Sequence, residues 1–424
     1  MPDRPNVLIV FSDQERYIPL GDAPSRPAQR RLASEGVTFT NAFCTTPQCS
    51  AARAALLSGV YPHRCGVVAN VDGTSPGSPL PVGTPTLGTM LRDAGYLTCY
   101  VGKWHLGRPG PAAHGFDIVF QDDRPGGGAA DPNRANQAAA WCLSNPSRPW
   151  LCVVSLHNPH DIYRMPPRDE RAVRPDAPLP PNVADDLSPK PPPQLEYLHR
   201  DCPDYVGAPR DLWREYVSFY YDRIDDVDSC LGTVLTALEQ SGRAGDTVVV
   251  YTSDHGDLGG AHGLPFKGPC MYEELLRVPL IVRWPGGGGG GRAMDELVSH
   301  LDLAPTILRL CGVDAPDGLD GMDLATLVEG RGAAWRDALF FEYEAKQDWF
   351  NPLRAVRTEG HKLVEYLDGW SELYDLSADP WEMRNLVGDA EHAGVEGELR
   401  ARLGRWRRRS ADPGPMPRPG FPSG

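Results

Sequence analysis

Asn6-Val-Leu-Ile-Val-Phe-Ser-Asp13 is an unbroken apolar run that closes on two polar residues. A strand with one face in water alternates apolar and polar side chains. A run without alternation reads as a strand of a parallel sheet covered on both faces. Three further segments repeat the pattern: Tyr96-Leu-Thr-Cys-Tyr-Val-Gly-Lys103, Trp150-Leu-Cys-Val-Val-Ser-Leu-His157 and Asp246-Thr-Val-Val-Val-Tyr-Thr-Ser-Asp254. Helical spacing falls over 51–58, 86–94, 212–240 and 303–311, which makes the chain an α/β protein with a mostly parallel sheet flanked by helices. In such sheets ligands gather at the carboxyl ends of the strands, so Asp13, Lys103, His157 and Asp254 are expected on one edge.

Working outward, the Pro-rich stretch 166–209 has little periodicity and reads as a long loop wrapped near that edge. Six glycines at 286–291 follow a strand over 278–283 and read as a flexible surface turn. From about Trp335 the pattern changes to short strands starting at Ala338, Leu353 and His361, then a helix over 393–409, which predicts a small α+β subdomain. The expected organisation is a catalytic α/β domain at 1–334, a C-terminal subdomain at 335–411 and a Pro/Gly-rich tail at 412–424. The arginines at 405 and 407–409 read as part of a solvated terminus.

Composition narrows the function. The 424 residues carry 42 Lys plus Arg against 56 Asp plus Glu, a formal net charge of −14, which argues against a general nucleic-acid binder. No window reaches about 18 uncharged apolar residues, and no signal peptide is visible, so a cytoplasmic location with no membrane partner is expected. The ten cysteines are scattered without a Cys-x-x-Cys pair and read as reduced. Gly (45) and Pro (43) are about a fifth of the chain, well above average usage, which implies many turns and sites built on loops. Walker A, dinucleotide and Gly-x-Ser-x-Gly motifs are absent.

Cys49-Ser-Ala-Ala-Arg53, followed by Ala-Ala-Leu-Leu-Ser-Gly-Val-Tyr-Pro-His-Arg64, places a Cys at a helix N-terminus with an Arg four residues on. The dipole and a fixed cation both favour a reactive group at position 49. This stretch resembles the type I sulfatase signature, in which the Cys of a Cys-x-Pro/Ala-x-Arg motif becomes formylglycine ahead of a Gly-x-Tyr-Pro-His element. The resemblance runs on in the family's order through Ser12-Asp-Gln14, Gly102-Lys-Trp-His-Leu-Gly107, Asn158-Pro-His160, Ser253-Asp-His-Gly256, Phe266-Lys-Gly268, Arg277-Val-Pro-Leu-Ile-Val282, Asp302-Leu-Ala-Pro-Thr306 and Leu373-Tyr-Asp-Leu-Ser-Ala-Asp-Pro380. It implies an alkaline-phosphatase-like fold and conversion of Cys49 to 3-oxoalanine (formylglycine) by a formylglycine-generating maturation enzyme. The chain departs from the commonest pattern at Ala51, where Pro is usual, and at Gln14, where many members have a second Asp.

By the same resemblance the metal ligands are Asp13, Gln14, Cys49, Asp254 and His255. A mainly oxygen set suits one divalent cation, Ca²⁺ first and Mg²⁺ or Mn²⁺ after it. The resemblance implies a cationic set of Arg53, Lys103, His105, His160 and Lys267. Within it His105 helps deprotonate the hydrated aldehyde, Arg53 and Lys103 hold position 49 and the sulfate oxygens, and His160 and Lys267 serve the leaving alcohol. His157 competes with His160 for the acid role, and His63 reads as structural.

The function expected is hydrolysis of a small-molecule or sugar sulfate ester. The alternative within enzymes is a phosphonate monoester or phosphodiester hydrolase with the same nucleophile. From another class, the alternative is a non-catalytic anion-binding homologue whose Cys49 is unconverted. Substrate choice is expected from the loops around Asp161–Met165, the Pro-rich stretch, and Trp349 and Phe350.

Overall fold

The computed structural model describes residues 4–122, 127–287, 290–331, 334–366 and 369–414. The strands in chain order are β1 (Asn6–Asp13), β2 (Val37–Phe39), β3 (Ala42–Phe43), β4 (Leu97–Gly102), β5 (Ile118–Gln121), β6 (Trp150–Pro159), β7 (Thr247–Ser253), β8 (Leu280–Arg283), β9 (Arg292–Met294), β10 (Val298–Ser299), β11 (Ala338–Lys346), β12 (Trp349–Thr358), β13 (His361–Tyr366) and β14 (Ser371–Asp375). The longer helices are α1 (Pro27–Glu35), α2 (Cys49–Ser58), α3 (Asp131–Ser144), α4 (Pro192–Asp201), α5 (Arg210–Gln240), α6 (Leu303–Leu310) and α7 (Ala393–Arg409).

The main sheet has eight strands in the order β5-β4-β6-β1-β7-β8-β2-β9. It is parallel from β5 to β7, and β8 runs antiparallel to both of its neighbours. Period-two alternation sorts β1 cleanly: Val7, Ile9 and Phe11 enter one core layer, and Leu8 and Val10 the other. That is why the whole of Asn6–Asp13 is apolar until its polar end. On the first face α2 and α6 pack against the sheet, and on the second α1, α3 and α5.

Four adjacent strands set the site. Register pairs Gly102 with Ser155, Asp13 with Pro159 and Ser12 with Ser253, so β4, β6, β1 and β7 end side by side. Lys103, His157, Asp13 and Asp254 therefore meet on the carboxyl edge. Gly102 sits at φ 100°, and a Cβ there would lie 2.0 Å from the Ser155 carbonyl oxygen. Only glycine lets β4 turn away so tightly beside β6 and deliver Lys103.

Strands β11 to β14 form an antiparallel meander in sequence order. One face buries Phe341, Leu353, Ala355 and Val364 against Phe43 and Leu276, and the other buries Val356, Leu363 and Leu373 under Leu399, Leu403 and Trp406 of α7.

Two expectations change. The Pro-rich stretch is not a featureless loop: it contains α4, with Tyr197 fully buried, and its prolines set the helix's first turn, where no amide donor is needed. The tail begins later than expected, because Asp412 is buried in an ion pair with Arg354. Residues 415–424, and 288–289 within the glycine run, lie outside the described residues. Among the described residues no helix is long and apolar enough to cross a membrane.

Candidate active site

Helix α2 is buried at all ten positions, which explains its Ala- and Leu-rich sequence. It starts at Cys49 without a side-chain cap on Gln48, and the Ser50 N–H donates to Asn70 Oδ1 at 3.1 Å. Cys49 is 1% exposed. Its Sγ lies 2.7 Å from Lys267 Nζ, 3.1 Å from His255 Nε2 and 3.5 Å from Asp13 Oδ1. Burial and the Asp13 charge push the thiol up, but Lys267, Lys103 and His255 outweigh them and hold it well below the ordinary thiol range.

Asp13, Cys49, Asp254 and His255 each bring one ligand atom within 4.8 Å of the others, and all four are buried. The two carboxylates would repel in so dry a place without a counter-charge. Arg53 supplies it: Nη2 donates to Asp13 Oδ2 at 2.7 Å, Nε to Asp254 Oδ2 at 2.9 Å, and Nη1 to Ser155 Oγ and the Lys103 carbonyl. All three of its nitrogens are engaged, so Arg53 braces the carboxylates rather than presenting a free fork to sulfate oxygens. Lys103 Nζ also donates to Asp13 Oδ2, at 2.6 Å. Burial raises the Asp13 carboxyl, yet Lys103, His160, Arg53 and Lys267 together keep it well below the usual carboxylate range; Asp254, desolvated and next to Asp13, is raised instead.

Gln14 tests whether this cluster fits a cation. Its Nε2 donates to Asp257 Oδ2 at 2.7 Å, while its Oε1 is buried with no hydrogen-bond partner. An orphaned amide oxygen beside two carboxylates is what a hard cation's ligand looks like before the ion is added. The backbone at Gln14 is left-handed, φ 78°, and is clamped by Asp254 Oδ1 on its N–H and the Tyr220 hydroxyl on its carbonyl. The residues therefore fit one divalent ion held mainly by oxygen.

His105 is half-buried at φ 55°, with Nδ1 lacking a partner, and its carbonyl accepts from Ser50 Oγ at 2.6 Å. His160 stacks on His157 with ring centres 4.9 Å apart and planes 9° apart. Burial holds His160 well below its ordinary value; the attraction of Asp13 opposes this, and Lys103, Lys267 and His157 add to it. His157 in turn lies 3.3 Å from Asp161. Lys267 was expected on the leaving-group side, and the structure puts its ammonium against Cys49 Sγ and His255 Nε2. His63 Nδ1 is held by Glu342 at 2.5 Å and its Nε2 lies 3.0 Å from the Ser410 carbonyl oxygen.

Sequence reasoning passed over several contributors. Asp257 follows Gly256 directly and could have been found as a third acid in Asp254-His-Gly-Asp257. Lys346 of β11 donates to the Lys267 carbonyl at 3.2 Å, a contact from another subdomain that no local pattern announces. Tyr163, within the Asp161–Met165 loop expected to set substrate choice, is 39% exposed, stacks on Phe266 at 4.2 Å and meets His160 edge-on at 5.0 Å, which builds an aromatic wall beside the cations. Tyr197 supports the same loop, with its hydroxyl on the Pro265 carbonyl.

A mostly parallel sheet, a cluster of candidate metal ligands at its strand ends and a cysteine at a helix N-terminus are consistent with a hydrolase of anionic esters. The sulfatase family model matches residues 5–313, and that of the C-terminal part of N-sulphoglucosamine sulphohydrolase matches 260–409. The chain belongs to the sulfatase family. It is 32% identical to the uncharacterized sulfatase YidJ of Escherichia coli K12 over 93% of this chain and 86% of that one. A solved 2-O GAG sulfatase superposes with a TM-score of 0.87 at 29% identity, covering 96% of this chain and 93% of the other. The phosphonate monoester hydrolase of Agrobacterium radiobacter does so at 0.82 and 25% identity, covering 96% of each.

Proposed function

We propose that this sulfuric ester hydrolase acts through formylglycine at position 49 and one Ca²⁺ held by Asp13, Gln14, Asp254, His255 and residue 49. The observation that carries the reading is Cys49 Sγ between Lys267 Nζ and Asp13 Oδ1 within the ligand cluster. A hydrated aldehyde at position 49 would offer two hydroxyls, one to attack sulfur and one to regenerate the aldehyde as sulfate leaves. A bound divalent ion would supply positive charge for the developing oxyanion.

The chain's own groups do the rest. Lys103 and Lys267 are donors aimed at the nucleophile and at sulfate oxygens, where negative charge grows in the transition state. Arg53 favours the ionised forms of Asp13 and Asp254 and fixes both carboxylates. In this reading His105, whose Nδ1 has no partner among the described residues, takes the proton that leaves residue 49, and His160 gives one to the departing alcohol oxygen. The net reaction is sulfate ester plus water to alcohol, sulfate and a proton.

Tyr163 and Phe266 fit a ring-shaped alcohol, so a sugar sulfate is the substrate class favoured, in line with the GAG sulfatase likeness. The phosphonate monoester hydrolase likeness keeps phosphorus esters as the second reading. The experiment is peptide mass spectrometry of the segment bearing residue 49, then turnover of an aryl sulfate, an aryl phosphonate monoester and an aryl phosphodiester. Aldehyde present with sulfate preferred supports the proposal; preference for a phosphorus ester replaces it.

A further inference from the structure

A cleft of about 720 Å³ opens on the seam between β11 and α7, at the end of the molecule where the far turn of α2 is buried. Five arginines line it, Arg336, Arg402, Arg405, Arg408 and Arg409, against one acid, Asp337. Arg336 is committed to Asp302, and Arg402 to Asp337 and Glu398. Arg405, Arg408 and Arg409 are exposed and form no ion pair among the described residues.

A cationic last turn by itself answers to the helix dipole. That reading accounts for Arg408 and Arg409. It does not account for Arg405, one turn earlier, which lines the same cleft with no ion pair among the described residues, beside the paired Arg402 two turns earlier and Arg336 from the strand side. In a chain of net charge −14 such a concentration is out of keeping with the rest of the surface. A second observation comes from the floor. Trp406 lines the cleft, is 5% exposed, and its indole N–H has no acceptor among the described residues.

We infer that this cleft is a binding site for a polysulfated polysaccharide, separate from the catalytic pocket. Guanidinium forks match the paired oxygens of sulfate groups. Single-stranded nucleic acid fits less well. Base recognition needs an open aromatic face, and here Phe340 and Trp406 stack on each other at 5.1 Å with planes 2° apart. The cleft belongs to the cluster of Ala55, Tyr61 and Trp406, at the opposite end of α2 from Cys49, so it holds a chain without touching the reacting atoms.

The test uses the full chain, a size-defined heparin oligosaccharide, inorganic sulfate and a poly(U) RNA, with binding followed by calorimetry. The R405E/R408E/R409E variant changes exposed side chains only, and R405Q/R408Q/R409Q is the milder companion if the first does not fold. The wild type is expected to bind the oligosaccharide with an affinity that falls as salt rises. The glutamate variant should bind about tenfold more weakly or worse, with turnover of a small aryl sulfate unchanged. Heparin sulfates entering the catalytic pocket affect both proteins equally and cancel in the comparison. Equal affinity in wild type and folded variant overturns the inference. So does displacement of the oligosaccharide by inorganic sulfate mole for mole, or binding of poly(U) as tight as heparin. Loss of aryl sulfate turnover in the wild type would count against the proposed reaction and leave the heparin comparison intact.

Discussion

The Gln14 amide donates from Nε2 to Asp257 Oδ2 at 2.7 Å, and this bond fixes which end of the amide faces the ligand cluster. Asp257 is itself held by the Tyr216 hydroxyl and the Gly259 N–H. Partners that orient a metal's ligands are worth about 10–100-fold in affinity. Asp257→Ala should therefore weaken Ca²⁺ binding to the metal-free protein by about that factor, and Asp257→Asn, which keeps an acceptor, by less. Titration calorimetry decides it, and unchanged affinity in a folded Asp257→Ala would remove Asp257 from the account.

Arg53 ties two buried carboxylates through separate nitrogens. Removing it leaves both uncompensated, so Arg53→Met should destabilise the metal-free protein by about 3–5 kcal/mol. Arg53→Lys should rescue little, because one ammonium cannot reproduce the fork. Denaturant unfolding reads both, and a loss below about 1 kcal/mol would show that the pairs are worth no more than exposed ones.

Lys267 Nζ touches the nucleophile position. Lys267→Met should lower kcat by about a hundredfold or more while leaving Ca²⁺ content unchanged, since a lost transition-state donor acts on rate. Steady-state kinetics with elemental analysis tests this; a rise in KM alone would make Lys267 a ground-state binder.

His63 carries a pH signature. Burial disfavours its cation, but the Glu342 carboxylate more than compensates and raises it from 6.5. A value raised in the folded state means that the pair's stabilisation is complete below about pH 6.5 and fades as pH rises through the raised value. His63→Gln should therefore cost most stability at mildly acid pH and progressively less above it, as thermal unfolding across that range would register. A deficit independent of pH would refute the charged pair.

Tyr163 should matter to substrates by shape. Tyr163→Ala should raise KM for a ring-bearing sulfate ester more than for a linear alkyl sulfate. Equal effects on both would exclude the wall of Tyr163 and Phe266 from leaving-group recognition.

The legible part of this site is the part that closes strands. Asp13, Lys103, His157 and Asp254 each end a segment apolar enough to be placed from sequence alone, and register put them together. What could not be read is set by packing between distant segments. Whether Arg53 faces substrate or carboxylates depends on the crossing of α2 over β1 and β7. The Lys346 contact depends on how the last sheet docks. In 166–209, prolines mask helix α4, because Pro is a breaker within a helix and a starter at its first turn.

The span of the Arg53 cluster also bears on the order in which the protein is made. Asp13 and Arg53 leave the ribosome early, whereas Asp254 lies 201 positions beyond Arg53. Until β7 emerges, the guanidinium has one of its two carboxylates, and the nascent N-terminal segment carries a half-matched charge that its neighbours cannot bury. Completion of the ligand cluster is thus tied to late synthesis, and a chain halted before β7 would be left for chaperones and proteases to hold or destroy.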